Sequence, residues 1–174
     1  LERELTHQAL HDSLTGLANR VLFTDRAQHA AARAGRDGSL VGVLLIDLNG
    51  FRLINEALGH TVGDRLLVGV AERLTEVLRP GDTVARLGAD EFAALIEDVS
   101  HLSELEEIAG RVTTALTTPF TIEGEQIGGV ASVGVSTTAE ARDANELLRQ
   151  ADLALNIAKA AGRGQWRRYQ AEVH

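Results

Sequence analysis

The chain has 174 residues, 44% hydrophobic and 24% charged, a size and balance that suit one globular domain with a full core. A formal net charge of −8 excludes a generic binder of nucleic acid or anionic membrane, and no apolar run approaches the ~20 residues of a membrane span. There is no cysteine, hence no disulfide frame and no thiolate chemistry, and nothing reads as a secretory signal. The expected location is cytoplasmic, as a free protein or as the cytoplasmic part of a membrane-attached one.

Residues 2–11 are polar apart from Leu5, Ala9 and Leu10 and predict a helical entry. The stretch from Asp12 to Leu17 reads as a turn. Asn19 is placed to N-cap a helix over residues 20–34, which Gly35 ends. Leu40 to Ile46 is a near-continuous apolar run, rich enough in β-branched residues to predict a strand buried on both faces. A short helix stopped by Gly59 follows. Leu66, Leu67, Val70, Leu74, Val77 and Leu78 then recur at helical spacing until Arg79-Pro80-Gly81-Asp82 breaks the pattern. "TVARL" and "EFAALIE" flank a turn and predict a hairpin. Leu102, Leu105, Ile108, Val112 and Leu116 mark another helix, with Ser103 and Glu106 as its capping box. Residues 118–136 read as two strands around Glu123-Gly124. Asp143 and Glu146 cap a last helix, and "QWRRY" is a terminal strand. The pattern as a whole predicts an α/β sandwich, one mixed or antiparallel sheet with helices packed on it.

Chemistry concentrates at a few places. Asp47 ends the most apolar strand, where α/β folds place ligands; a helix-capping role is the alternative. Asp90-Glu91 sits at the predicted hairpin tip and reads either as solvated turn acids or, beside Asp47, as part of a cation site. Two carboxylates with a nearby carbonyl, that of Leu48, are what Mg2+ takes when phosphates supply its other ligands. Lys159 and Arg163, four apart, share a predicted helix face and read as a phosphate clamp or as charges complementing the helix dipole. Arg52 is a further candidate for the clamp, or a solvated charge. Asn55 and Asp64 carry groups that match a guanine edge, with helix capping as the bland alternative. Arg79 and Asp82 read as an anion-ligand site or as a helix end and a turn. Arg20 reads as structural, and His60 and the other histidines read as lacking metal spacing such as HxxxH, so no zinc site is assigned.

"HDSLTGLANR", "IDLNGFRLINEALGHTVGD", "RPGDTVARLGADEF", "SVGVS" and "ADLALNIAKAAGRG" occur in that order. With them the chain closely resembles the GGDEF domain family, the diguanylate cyclases, over residues 11–168. The resemblance implies an α/β (α+β) domain with a central mixed, largely antiparallel sheet flanked by helices, a palm-like nucleotidyl cyclase fold. It divides the chain into a linker helix (1–11), the domain (12–168) and the start of a second linker (169–174). It implies condensation of two GTP into cyclic di-GMP with Mg2+ or Mn2+ across a head-to-head homodimer. Asp47, the Leu48 carbonyl and Asp90 would hold metal, and Glu91 would lie beside the reacting groups. Asn55 and Asp64 would read guanine, with Phe51, Gly88 and Ala89 bordering the nucleotide. Arg52, Lys159 and Arg163 would hold phosphates, and Arg79 with Asp82 would form an inhibitory product site. An N-terminal sensor and a C-terminal phosphodiesterase (EAL) domain are the expected covalent partners, and no nucleic acid is.

The sequence departs from the family pattern at Ala89, which replaces the second glycine of the signature, and at Asn49, Arg52 and Asn156. An alanine forced to positive φ costs roughly 1 kcal/mol, and its methyl can crowd a phosphate. An active, slow cyclase, a GTP-binding regulatory module, a cyclic di-GMP receptor and a dimerisation module all remain open at this level.

Overall fold

The computed structural model describes residues 2–128 and 131–171. In chain order they form α1 (Glu2–Leu10), α2 (Arg20–Asp37), β1 (Leu40–Leu48), α3 (Phe51–Leu58), α4 (His60–Val77), β2 (Thr83–Gly88), β3 (Glu91–Val99), α5 (Leu102–Thr117), β4 (Phe120–Ile122), β5 (Glu125–Ile127), β6 (Ala131–Thr137), α6 (Ala144–Ala161) and β7 (Trp166–Arg168). Five strands make one sheet in the order β2-β3-β1-β6-β7. Its pairs are antiparallel except for β6–β7, which is parallel. This is the mixed, largely antiparallel sheet flanked by helices that the sequence predicts. No helix among the described residues is long and apolar enough to cross a membrane.

β1 lies at the middle of the sheet and is buried on both faces, as its apolar run requires. Successive side chains of a strand point to opposite faces. Leu44, Ile46 and Leu48 therefore join a core with Leu66, Leu67, Leu74, Leu105 and Leu116 of α4 and α5. Val41, Val43 and Leu45 join a second core with Phe23 and the alanines of α2 and with Leu147, Ala151 and Leu155 of α6. The result is three layers, with α4 and α5 on one side of the sheet and α2 and α6 on the other.

Several local expectations need correction. Gly35 lies inside α2, which runs to Asp37; Gly38 ends it at φ 78, its N–H donating to the Ala34 carbonyl at 3.1 Å. Periodicity alone cannot choose between two nearby glycines, and the one able to adopt the left-handed cap decides. Ser103 and Glu106 form no capping box, because α5 already starts at Leu102. Glu104 instead reaches back and accepts from the Ser100 N–H at 3.1 Å. Residues 118–136 hold three strands rather than two. β4 and β5 pair in a hairpin of their own, and β6 enters the main sheet. Arg73 anchors that hairpin from α4, donating to the carbonyls of Ala115 and Pro119 and lying 3.5 Å over the Phe120 ring.

The seating of α6 on β6 depends on Gly134. A Cβ there would lie 2.2 Å from the Ala151 carbonyl oxygen and 2.3 Å from the Leu155 nitrogen, both helix backbone. At Gly42 a Cβ would meet only side-chain atoms of Leu105, the nearest at 2.4 Å. Gly134→Ala is therefore expected to cost about 3 kcal/mol in urea unfolding and Gly42→Ala about 1 kcal/mol, the two ends of the overpacking range. Equal losses would contradict this seating of α6.

Candidate active site

The alternation along β1 continues past its apolar run. Asp47 follows Val43 and Leu45 in phase, so it faces α6. Its Oδ2 forms an ion pair with the Lys159 ammonium there. Its Oδ1 is buried and has no hydrogen-bond partner among the described residues. Glu91 is its register partner across the β1–β3 ladder, and the Leu48 N–H donates to the Asp90 carbonyl at 3.2 Å. Asp47 and the Asp90-Glu91 turn thus meet at one end of the sheet.

The Asp90 carboxyl is held above the usual carboxylate range, first by burial and then by the negative charge of Asp47, with Glu91 adding to it. Two carboxylates that resist joint ionisation, one with an orphaned oxygen, favour a bound cation. Among the described residues no three His, Asp or Glu side chains gather to enclose a metal by themselves. That short donor set fits Mg2+, which keeps waters or phosphate oxygens in its shell, better than an ion requiring an all-protein cage.

The turn between β2 and β3 is the most constrained backbone at this end. Ala89 adopts φ 25, one of three non-glycine residues at positive φ among those described. Only the first of the two central residues does so, the arrangement of a type II′ turn, which prefers glycine there. The register also slips between Arg86 and Gly88, the mark of a bulge re-aiming the turn. Arg86 holds this geometry. Its Nε and Nη2 donate to the Ala89 carbonyl at 3.1 and 2.8 Å, while Nη1 donates to both Asp12 oxygens at 3.1 and 3.3 Å. Asp12 also accepts from the Thr15 N–H at 2.9 Å and the Thr15 hydroxyl at 2.8 Å. Burial pushes the Asp12 carboxyl up, but the Thr15 bonds and Arg86 outweigh it and hold the group below its ordinary range.

The remaining candidates fall into groups. Asn55 on α3 has its Oδ1 buried and without a partner among the described residues. Asp64 on α4 is exposed and lines a cleft of about 600 Å³ with Leu14, Arg65, Phe120 and Glu123. Phe51 is buried at the start of α3. Arg52 is 92% exposed and paired with Glu56 at 3.2 Å. Arg163 shares no helix face with Lys159, because α6 ends at Ala161 and Gly162 turns the chain at φ 124. Arg79 is held in a closed knot by Asp82 at 3.3 Å, Glu104 at 3.2 Å and the Glu97 carbonyl at 2.7 Å. Asn49 donates to the Ser132 hydroxyl at 2.9 Å.

Four residues contribute to this site beyond those the sequence predicts. Arg86 and Asp12 stand 74 positions apart, with no local signal joining them. Arg20, read as structural, lies 3.7 Å from the Glu91 carboxylate. Gly63 makes room for Asn55, whose Oδ1 lies 1.8 Å from where a Cβ would stand; the "GHTVGD" run carries this glycine openly.

A family model described as "Diguanylate cyclase, GGDEF domain" matches residues 9–165. The chain belongs to the GGDEF domain family. It is 40% identical over 162 residues to the bifunctional diguanylate cyclase/cyclic di-GMP phosphodiesterase MucR of Pseudomonas aeruginosa, covering 92% of this chain and 24% of that protein. It is 38% identical over 164 residues to the cyclic di-GMP phosphodiesterase PdeR of Escherichia coli, covering 94% and 24%. A solved structure of the GGDEF domain of Pseudomonas aeruginosa TpbB superposes with a TM-score of 0.89 at 36% identity, covering 92% of this chain and 94% of that one. This GGDEF domain spans about a quarter of the length of MucR and PdeR, the rest of which lies outside the match.

Breaking the Arg86–Asp12 pair, whose side chains are 16% and 18% exposed, leaves a carboxylate short of its partner. Arg86→Ala is expected to destabilise the GGDEF domain by about 3 kcal/mol. A lowered folded pKa gives stability that is present above the unfolded value and lost as pH falls through the folded one. The gap between wild type and Arg86→Ala is therefore expected to hold from neutral pH down to about 4 and to narrow below it, as Asp12 protonates. Urea titrations across this range measure it. A gap that widens in acid would contradict the assignment.

Proposed function

We propose that this GGDEF domain is a diguanylate cyclase, condensing two GTP into cyclic di-GMP and two pyrophosphates across a head-to-head homodimer. The observation that carries the reading is the meeting of Asp47 and Asp90 at one end of the sheet, with a buried Asp47 oxygen lacking a hydrogen-bond partner among the described residues. In each half-reaction the 3′-oxygen of one nucleotide bonds to the α-phosphorus of the other. The bond from that phosphorus to the pyrophosphate oxygen breaks, and the hydroxyl proton leaves. Such transfer needs alignment and charge neutralisation more than covalent help.

Asp47, the Leu48 carbonyl and Asp90 are the groups that would hold Mg2+ or Mn2+. Bound there, the ions would neutralise phosphate charge and favour the attacking alkoxide. Lys159 exchanges its contact with Asp47 for phosphate, and Arg163 joins it from the loop after α6. Glu91, steadied by Arg20, steers or accepts the 3′-hydroxyl proton. Asn55 and Asp64 accept from the guanine edge, beside Phe51 and the Gly88-Ala89 turn. Arg52 reaches phosphate only by leaving Glu56. Arg79 and Asp82 bind product only by opening their present knot.

A second reading has its own observation. Ala89 stands at positive φ in the turn, and PdeR, a relative of similar identity, is named as a phosphodiesterase. On this reading the domain binds GTP without turnover and regulates an attached EAL domain.

Incubation with GTP and Mg2+ at concentrations where the chain dimerises, followed by nucleotide separation, decides between the two. Cyclic di-GMP from wild type and none from Asp90→Ala is the expected outcome. GTP binding by calorimetry with no product from wild type would replace the cyclase reading with the regulatory one.

Ala89→Gly isolates the methyl. It relieves about 1 kcal/mol of backbone strain, offset by roughly 0.4–1 kcal/mol of added freedom in the unfolded chain. Stability is expected to stay nearly constant while turnover rises. An unchanged rate would mean that the methyl is absorbed without cost to the chemistry.

A further inference from the structure

The expectation that the histidines lack metal spacing fails for one pair. "HQALH", residues 7–11, places His7 and His11 four apart, at the last turn of α1 and the residue after it. Their rings stack almost parallel, with centroids 3.8 Å apart and planes inclined by 10°. We propose that His7 and His11 form a two-imidazole chelate for a divalent transition-metal ion of the Zn2+ or Ni2+ class.

Three observations support the site. First, the stack puts both imidazoles on one side of the chain. Imidazole lone pairs lie in the ring planes, so the exposed His7 ring must turn out of the parallel stack before both rings can face one ion; two nitrogens bound to a tetrahedral ion at about 2.1 Å each then stand roughly 3.4 Å apart. Second, His11 Nδ1 lies 3.0 Å from the His7 carbonyl oxygen. A carbonyl can only accept, so Nδ1 carries the proton and Nε2 keeps its lone pair. This backbone bond to the far ring nitrogen is the support that metal-binding histidines commonly have. Third, His7 is exposed and His11 half-buried, and neither Nε2 has a hydrogen-bond partner among the described residues. The position at a helix C-terminus also favours a cation.

Imidazole donors select Zn2+, Ni2+ and Cu2+ over Mg2+, so this site is chemically distinct from the carboxylates around Asp47. Asp12 is next in sequence to His11 but is committed to Thr15 and Arg86, leaving water to complete the coordination. Asn19 ties this junction from the other side, its side chain donating to the Ala9 carbonyl at 2.8 Å and its N–H to the Leu10 carbonyl at 2.9 Å. An ion held by His7 and His11 would clamp the end of α1 to the turn that Arg86 connects to Ala89. The inference stands apart from the cyclase reading, since it requires neither GTP nor turnover.

Calorimetric titration of the 174-residue chain with Zn2+, in buffer containing excess Mg2+, tests it. Wild type is expected to take up one ion per chain in its tightest step. His7→Ala and His11→Ala should each weaken that step by about tenfold or more, because either loss ends the chelate. His29, His60, His101 and His174 remain in every variant as internal controls. Zn2+ should raise the melting temperature of wild type and leave that of His7→Ala unchanged. His7 is exposed, so His7→Ala keeps the test valid if His11→Ala fails to fold. Equal Zn2+ affinity in wild type and His7→Ala would overturn the proposal, as would an equal melting shift in both.

Discussion

Burial of β1 on both faces is the constraint on which the rest of the molecule depends. A central strand with apolar neighbours above and below permits one register and one facing. The alternation that sends Val43 and Leu45 toward α2 and α6 sends Asp47 there too. The same pairing sets Glu91 opposite Asp47 and brings Asp90 to the same end of the sheet. A slip of one residue would turn Asp47 toward α4 and α5 and separate it from Lys159. The apolar packing and the polar site are therefore one geometric fact seen at two ends of a strand.

The turn at Ala89 shows how local strain is carried by distant support. A II′-like turn asks for glycine at its first central position, and this chain supplies alanine at φ 25. Arg86 grips the carbonyl of that residue and anchors it to Asp12, which Thr15 holds in turn. A cost of about 1 kcal/mol at one residue is small beside a mostly buried, multiply bonded guanidinium. The methyl is thus a question for ligand geometry more than for folding. The same Asp12 lies two residues past the end of α1, so the end of that helix and the acidic turn belong to one connected set of bonds.

The parts legible in the sequence were those with local causes. The β1 strand, the hairpin, the Asn19 and Asp143 caps and the helical faces of α4 to α6 follow from periodicity and capping chemistry, and they stand in the structure. The misreadings were also local in origin. Gly35 and Gly38 compete as helix ends, and only the backbone angle separates them. Lys159 and Arg163 are four apart, but Gly162 between them unwinds the helix. The four-residue spacing of His7 and His11 is plain in the sequence, but the stacking of their rings belongs to the fold.

By itself the sequence determined the family and the mixed sheet with its helices, because each rests on residue type and short-range spacing. Tertiary structure alone decided which charges meet. Lys159 pairs with Asp47, Arg20 approaches Glu91, Arg86 joins Asp12 to Ala89, and Arg52 turns outward to Glu56. Such contacts join residues as far apart as positions 47 and 159, and an exposed charge has no periodicity to reveal its partner. Chain topology brings them together: adjacent strands fix the carboxylates, and the helices seated on the sheet carry the cations to them.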